Sequence, residues 1–69
     1  MPVDVEYIKR IYPEGTKIKL IEMADDPLPV PSGTIGTVVS VDDIGSIHVQ
    51  WENGSNLAVI PGVDSFSKL

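Results

Sequence analysis

The sequence has no cysteine among its 69 residues, and it has a single histidine and a single tryptophan. Without cysteine the chain has no disulfide, no thiol nucleophile and no thiolate metal site. Secreted domains of this size usually depend on disulfides. We therefore expect a protein of a reducing compartment, the cytoplasm.

Long apolar runs and clustered basic residues are also missing. The apolar runs extend over only a few residues, so we expect no transmembrane helix. Residues 1–10 lack the basic start and the apolar stretch of a signal peptide. Five basic and ten acidic residues give a net charge of −5, which disfavours nonspecific binding to nucleic acid and to anionic membranes.

The sequence does contain turn-forming residues at regular intervals, namely glycine, proline, asparagine and aspartate. Short segments between such turn signals are typical of an all-β barrel or sandwich. Residues 16–23, 34–41 and 46–51 have strand patterns. Asn53-Gly54, a strong hairpin signal, precedes a fourth predicted strand at residues 56–60, and a tight turn at residues 61–64 precedes a short closing strand that contains Phe66 and Leu69.

The first residues differ from the rest, because Val5, Ile8 and Tyr12 recur at helical spacing and Pro13 ends the pattern. The chain is therefore predicted to be one domain, with a helical segment at residues 1–13 and a barrel at 14–69. One helix, a long loop after the first strand, a three-strand meander and a last short strand predict a mainly β fold, a small five-stranded SH3-like barrel.

Strand phase predicts the core. Ile18 and Leu20 share one face of the first predicted strand, and Ile47, Val49 and Trp51 share one face of the third. In the second, Val38 and Val41 are expected to point inward. Gly36 predicts either a bulge that breaks the period or a close backbone approach, and we favour the bulge.

Several stretches resemble a family of small uncharacterised domains of bacteria, phages and conjugative elements. The resemblance covers about residues 12–69 and lies mainly in Trp51-Glu52-Asn53-Gly54-Ser55, Leu57 and Ile60-Pro61-Gly62-Val63-Asp64, with support from residues 31–38 and 41–45. The family has no assigned activity. The resemblance therefore implies an SH3-like fold and a phage or mobile-element context, and it implies no reaction.

The best binding candidates are in and near the proline loop, residues 25–31, since long loops of SH3-like barrels border their ligand groove. Leu28 and Val30 are apolar residues of this loop, and Asp25 and Asp26 begin it. Trp51 is either a contact for a peptide or, as its phase favours, a core residue.

No catalytic, cofactor or metal site is expected. His48 is on the face opposite the core residues, and no second histidine or cysteine exists to join it as a ligand. Neither acidic pair, Asp25-Asp26 or Asp42-Asp43, has the spacing of a calcium loop, and aspartates are ordinary in turns.

These observations favour a noncatalytic module that binds an unknown protein or peptide, an accessory protein of a phage or mobile element. Two alternatives stay open. Lys17 and Lys19, with Arg10 or Lys68, could form the basic stripe of a nucleic-acid-associated barrel. The chain could also be a structural domain of a larger assembly.

Overall fold

The fold is taken from a computed structural model that describes residues 4–23 and 27–69. Its one α-helix and four β-strands follow the chain in the order α1 (Val5–Ile11), β1 (Lys17–Glu22), β2 (Ile35–Val41), β3 (Ile47–Trp51) and β4 (Ser65–Lys68). The strands form one antiparallel sheet in the order β3-β2-β1-β4. The prediction of a mainly β chain with one short helix is therefore confirmed, although the sheet has four strands where five were expected.

Helix α1 begins where its backbone donors find a partner. The Asp4 carboxylate accepts a hydrogen bond from the Tyr7 N–H at 3.1 Å, which satisfies one free donor of the first turn. Pro13 disfavours helical backbone at Tyr12, and the helix ends at Ile11. Ile8 is buried against the sheet, so seven residues that would not hold a helix alone are stabilised by packing.

Two turns of the same kind precede β1 and β2. Residues 13–16 and 31–34 both have the sequence Pro-x-Gly-Thr, and in each the proline carbonyl accepts from the threonine N–H and hydroxyl. Gly15 and Gly33 have φ of +91° and +90°, a backbone conformation that favours glycine. The N–H of each glycine donates to a carbonyl on the other strand of the pair. The two turns thereby fix the β1–β2 register from both ends.

Two β-bulges interrupt the ladders, and neither is at the predicted place. One lies between Val38 and Ser40, with Val39 as the extra residue, and the other between Leu20 and Glu22, with Ile21 as the extra residue. Gly36 pairs regularly with both neighbouring strands, so the favoured prediction of a bulge at Gly36 is wrong. The period breaks because Val39 turns outward, while Val38 is buried and Val41 half-buried.

The predicted strand at residues 56–60 is a single bridge between Ile47 and Val59. The bridge has the register of a hairpin with β3, but the middle of the segment bonds elsewhere. The Leu57 N–H donates to Ser55 Oγ, and the Leu57 carbonyl accepts from the Trp51 indole N–H. Because these backbone groups are taken, the ladder between β3 and this segment is not continuous.

The core lies under the inner face of the sheet and includes the residues that alternation predicts on β1 and β3. Its fully buried side chains are Trp51, Ile18, Leu20, Ile47, Val38, Val49 and Val59. Tyr12 and Phe66 meet edge to face at its margin, with ring centroids 5.6 Å apart, which ties the end of α1 to β4. Among the described residues, no helix has the length and apolar character needed to cross a membrane.

Candidate binding groove

A groove of about 370 Å³ lies on the outer side of the β2–β3 hairpin. We call it the hairpin groove and define it by Val39, Ser40, Asp42, His48, Gln50 and Asn56. The outward-facing positions of β3 supply His48 and Gln50, and the bulge in β2 supplies Val39. The groove therefore combines one exposed aliphatic side chain with a carboxylate, an imidazole and two amides.

Asp42 is fixed by the turn that joins the two strands. Its Oδ1 accepts hydrogen bonds from the Ile44 N–H at 3.1 Å and the Ser46 N–H at 2.9 Å. Gly45, with φ of +89°, closes the turn by donating its N–H to the Asp42 carbonyl. A three-residue hairpin loop of this kind needs a residue that tolerates positive φ at its last position, and glycine supplies it.

The other oxygen of Asp42 reaches across the hairpin to His48. Asp42 Oδ2 and His48 Nε2 are 2.9 Å apart, and both side chains are partly open to solvent. The hydrogen bond to His48 is the largest cause that holds the pKa of Asp42 below its usual range, and the two backbone N–H groups add to it. The carboxylate therefore stays ionised at neutral pH, with both of its oxygens engaged.

We expect an NMR titration of the side-chain carboxyl carbons to show this pairing. In the wild-type domain the pKa of Asp42 should be depressed, and His48→Ala should move it back toward its ordinary value. Because the folded-state pKa lies below the unfolded one, the pairing stabilises the domain above the ordinary carboxyl range and is lost as pH falls through the folded-state pKa.

Gln50→Ala is the control for that titration, since Gln50 lines the same groove and sits on the same strand. It should leave the Asp42 titration unchanged. An Asp42 pKa that is the same in His48→Ala as in wild type would show that the imidazole does not perturb the carboxylate.

Of the five residues expected to contact a partner, the structure describes three, and these three do not form one surface. Val30 is 3% exposed and Trp51 1% exposed, so both belong to the core and offer no surface to a partner. Trp51 is buried because its strand phase points inward and its indole N–H finds the Leu57 carbonyl at 2.9 Å. Leu28 is 82% exposed, and Asp25 and Asp26 lie outside the described residues.

The proposed basic stripe is also divided. Lys17 and Lys19 are exposed on the outer face of β1, where Lys17 Nζ donates to Thr37 Oγ1 at 2.6 Å. Lys68 pairs with Ile18, so it is on the opposite face of the sheet. Over residues 4–23 and 27–69, no three side chains of the metal-binding types come together as a cation site.

The pair of Asp42 and His48 is what the sequence analysis missed. The sequence pattern relates His48 only to other histidines and cysteines, and Asp42 only to turns and to a cation site shared with Asp43. The sequence feature that signals this pair is Gly45, which predicts a tight loop between the second and third strands. Such a loop brings the residues before and after it onto neighbouring strands.

One protein family matches this chain over residues 1–69, and its description is "Domain of unknown function (DUF4314)". This agrees with the resemblance to a family of small uncharacterised domains. No curated protein and no solved structure matches the chain.

Proposed function

Since the chain belongs to the DUF4314 family over its whole length, whose description names no function, we propose a function from the chain's own surface. We propose that it is a noncatalytic module that binds another protein through the hairpin groove. The observation that carries the proposal is the groove itself, in which an exposed aliphatic residue lies among fixed polar side chains.

The openness of the groove supports a protein partner over a small ligand. Its walls include Val39, His48 and Asp42, which all remain partly exposed. Small-molecule sites usually enclose most of the surface of their ligand. A protein segment can occupy an open groove because its contacts continue beyond it.

The state of Asp42 supports a noncatalytic role. One of its oxygens accepts two backbone N–H groups, and the other faces the imidazole of His48. A general base needs a lone pair aimed at a substrate proton. Here the carboxylate instead fixes the hairpin and orients His48, as a structural residue of a binding surface does.

We also infer an SH3-like barrel from the strand neighbours. The order β3-β2-β1-β4, with residues 55–59 running back along β3, places the last strand beside the first and supports a sheet that curls toward a barrel. The lack of cysteine supports a cytoplasmic location. The resemblance to domains of phages and conjugative elements supports the role of an accessory protein of a mobile element.

Affinity capture from a host lysate tests the binding role, with Val39→Lys beside the wild-type domain. Val39 is 49% exposed in the groove, so lysine should disturb binding and spare the core. Ile21→Lys is the matched control, because Ile21 is the extra residue of the other bulge and is 54% exposed outside the groove. We expect wild type and Ile21→Lys to recover the same partner and Val39→Lys to lose it.

Recovery of the same proteins by all three baits would contradict binding through the groove. Lack of any protein enriched over empty beads would contradict the binding role altogether. Thermal unfolding of both variants, followed by circular dichroism, separates lost binding from lost folding. Both should unfold close to wild type, because both residues are about half exposed and surface substitutions usually change stability by less than about 0.5 kcal/mol, and any effect of the bulge backbone is common to the two variants.

A further inference from the structure

The charges of this chain are segregated along its sequence. All five lysine and arginine residues are in residues 9–19 or at Lys68, and residues 20–67 contain none. The same stretch holds seven of the ten acidic residues. The hairpin groove is formed entirely within this stretch, so the charged side chains of its own elements are acidic, apart from His48.

At the end of the hairpin, two acidic residues are followed by an aliphatic one. Asp43 is exposed beside the partly exposed Asp42, and Ile44, which follows, is 79% exposed. The bridge between Ile47 and Val59 places Ile60, also exposed, next to this turn. Apolar surface of this kind at the tip of a loop adds nothing to the core, and it suits contact with another molecule.

Resting on the proposed function, we propose that the partner presents a basic segment that carries lysine or arginine together with aliphatic residues on one side. The basic side chains lie at the exposed Asp43 and beside the negative charge of Asp42, whose oxygens already accept hydrogen bonds within the hairpin. The aliphatic side chains pack on Val39 and Ile44. In an extended segment every second side chain points to the same side, so the residues that reach this surface, two positions apart, include both kinds.

Charge argues against the other occupants. A second copy of this chain carries the same net charge of −5, which opposes association at long range, and self-association through residues 9–19 would appear as a dimer of the domain without any peptide. Nucleic acid would set phosphates against Asp42 and Asp43, where binding needs lysine or arginine. A basic protein segment is the occupant whose charge complements the surface.

Fluorescence anisotropy with defined peptides tests this assignment. The probe is a labelled, acetylated peptide in which pairs of lysines and pairs of leucines follow one another, so that each side of the extended peptide carries both residues. One comparison peptide replaces each lysine with glutamate, and another replaces each leucine with serine. We expect the lysine–leucine peptide to bind, the glutamate–leucine peptide not to bind, and the lysine–serine peptide to bind more weakly. Added salt should weaken the binding, since exposed charges are screened.

Two variants with the same change of charge locate the contact. Asp43→Asn should weaken binding of the lysine–leucine peptide by about twofold to fivefold, the range expected for an exposed ion pair. Glu52→Gln should leave it unchanged. Asp43 and Glu52 are both exposed first residues of three-residue loops that end in glycine, Gly45 and Gly54, with φ near +90°. The two substitutions therefore share the loop type, the exposure and the change of charge, and they differ in position and by one methylene of side-chain length.

Equal weakening by Asp43→Asn and Glu52→Gln would reduce the effect to net charge and overturn the assignment. Equal binding of the glutamate–leucine peptide, or no peptide binding at all, would overturn it as well. These outcomes are separate from the lysate capture. A captured partner that is lost with Val39→Lys but retained with Asp43→Asn would support the binding role and reject the basic segment. Failed capture from the lysate together with binding of the lysine–leucine peptide would support the basic segment and reject the binding role.

Discussion

Replacing Trp51 with alanine is expected to leave much of the population unfolded at room temperature. Trp51 is the largest of the fully buried side chains and packs over Gly36 at the centre of the core. Loss of a buried tryptophan costs about 3–5 kcal/mol, within a total of roughly 3–10 kcal/mol for a domain of this size. Urea unfolding followed by far-ultraviolet circular dichroism measures the loss.

Circular dichroism is needed because Trp51 is the sole tryptophan, so its fluorescence disappears with the substitution. Tyr7→Ala is the control, since Tyr7 is an exposed aromatic residue of α1, and it should unfold close to wild type. Trp51→Phe should fall between the two, because it keeps a ring in the core but leaves the Leu57 carbonyl without the indole donor. Wild-type stability for Trp51→Ala would contradict this account of the core.

Gly36→Ala is expected to destabilise the domain by about 1–3 kcal/mol, the usual cost of an overpacked core. A Cβ at residue 36 would overlap with Val49 Cγ1 and lie 2.6 Å from Trp51 Cε3. The sign of the change in the free energy of unfolding is informative, because alanine in an unobstructed strand would be more stable than glycine by roughly 0.5–1 kcal/mol. Urea unfolding, as for Trp51→Ala, measures this change.

A second substitution tests whether the close approach is the cause. In a Val49→Ala background the atom nearest to the new Cβ is absent, so Gly36→Ala should cost less than in wild type. The Trp51 ring remains, and the rescue should therefore be partial. A cost that is equal in both backgrounds, or a stabilising effect in wild type, would exclude a steric role for Gly36.

The elements that the sequence predicted well are those set by local rules. The helical spacing of Val5 and Ile8 predicts α1 and Pro13 predicts its end, and both signals are readable from neighbouring residues. Alternation on β1 and β3 gave the correct inward residues, because one face of each strand is buried and the other is open to solvent. The glycine turns were also readable, since Gly15, Gly33 and Gly45 do adopt positive φ.

The errors concern contacts between distant residues. A glycine inside a strand signals either a bulge or a close approach, and only the packing of Val49 and Trp51 against Gly36 decides for the close approach. The segment at residues 56–60 has the pattern of a strand, but a side chain from β3 takes the Leu57 carbonyl. The hairpin groove depends on a bulge at Val39 that valine itself does not signal, so the site could not be placed from sequence.

The most direct test of binding through the hairpin groove is NMR chemical-shift mapping of the isotope-labelled wild-type domain with the captured partner. We expect the backbone amides of residues 39–50 and Asn56 to shift most. The outer face of β1, with Lys17, Lys19 and Ile21, should change little. Shifts confined to β1, or centred on the proline loop around Leu28, would contradict the groove as the binding surface.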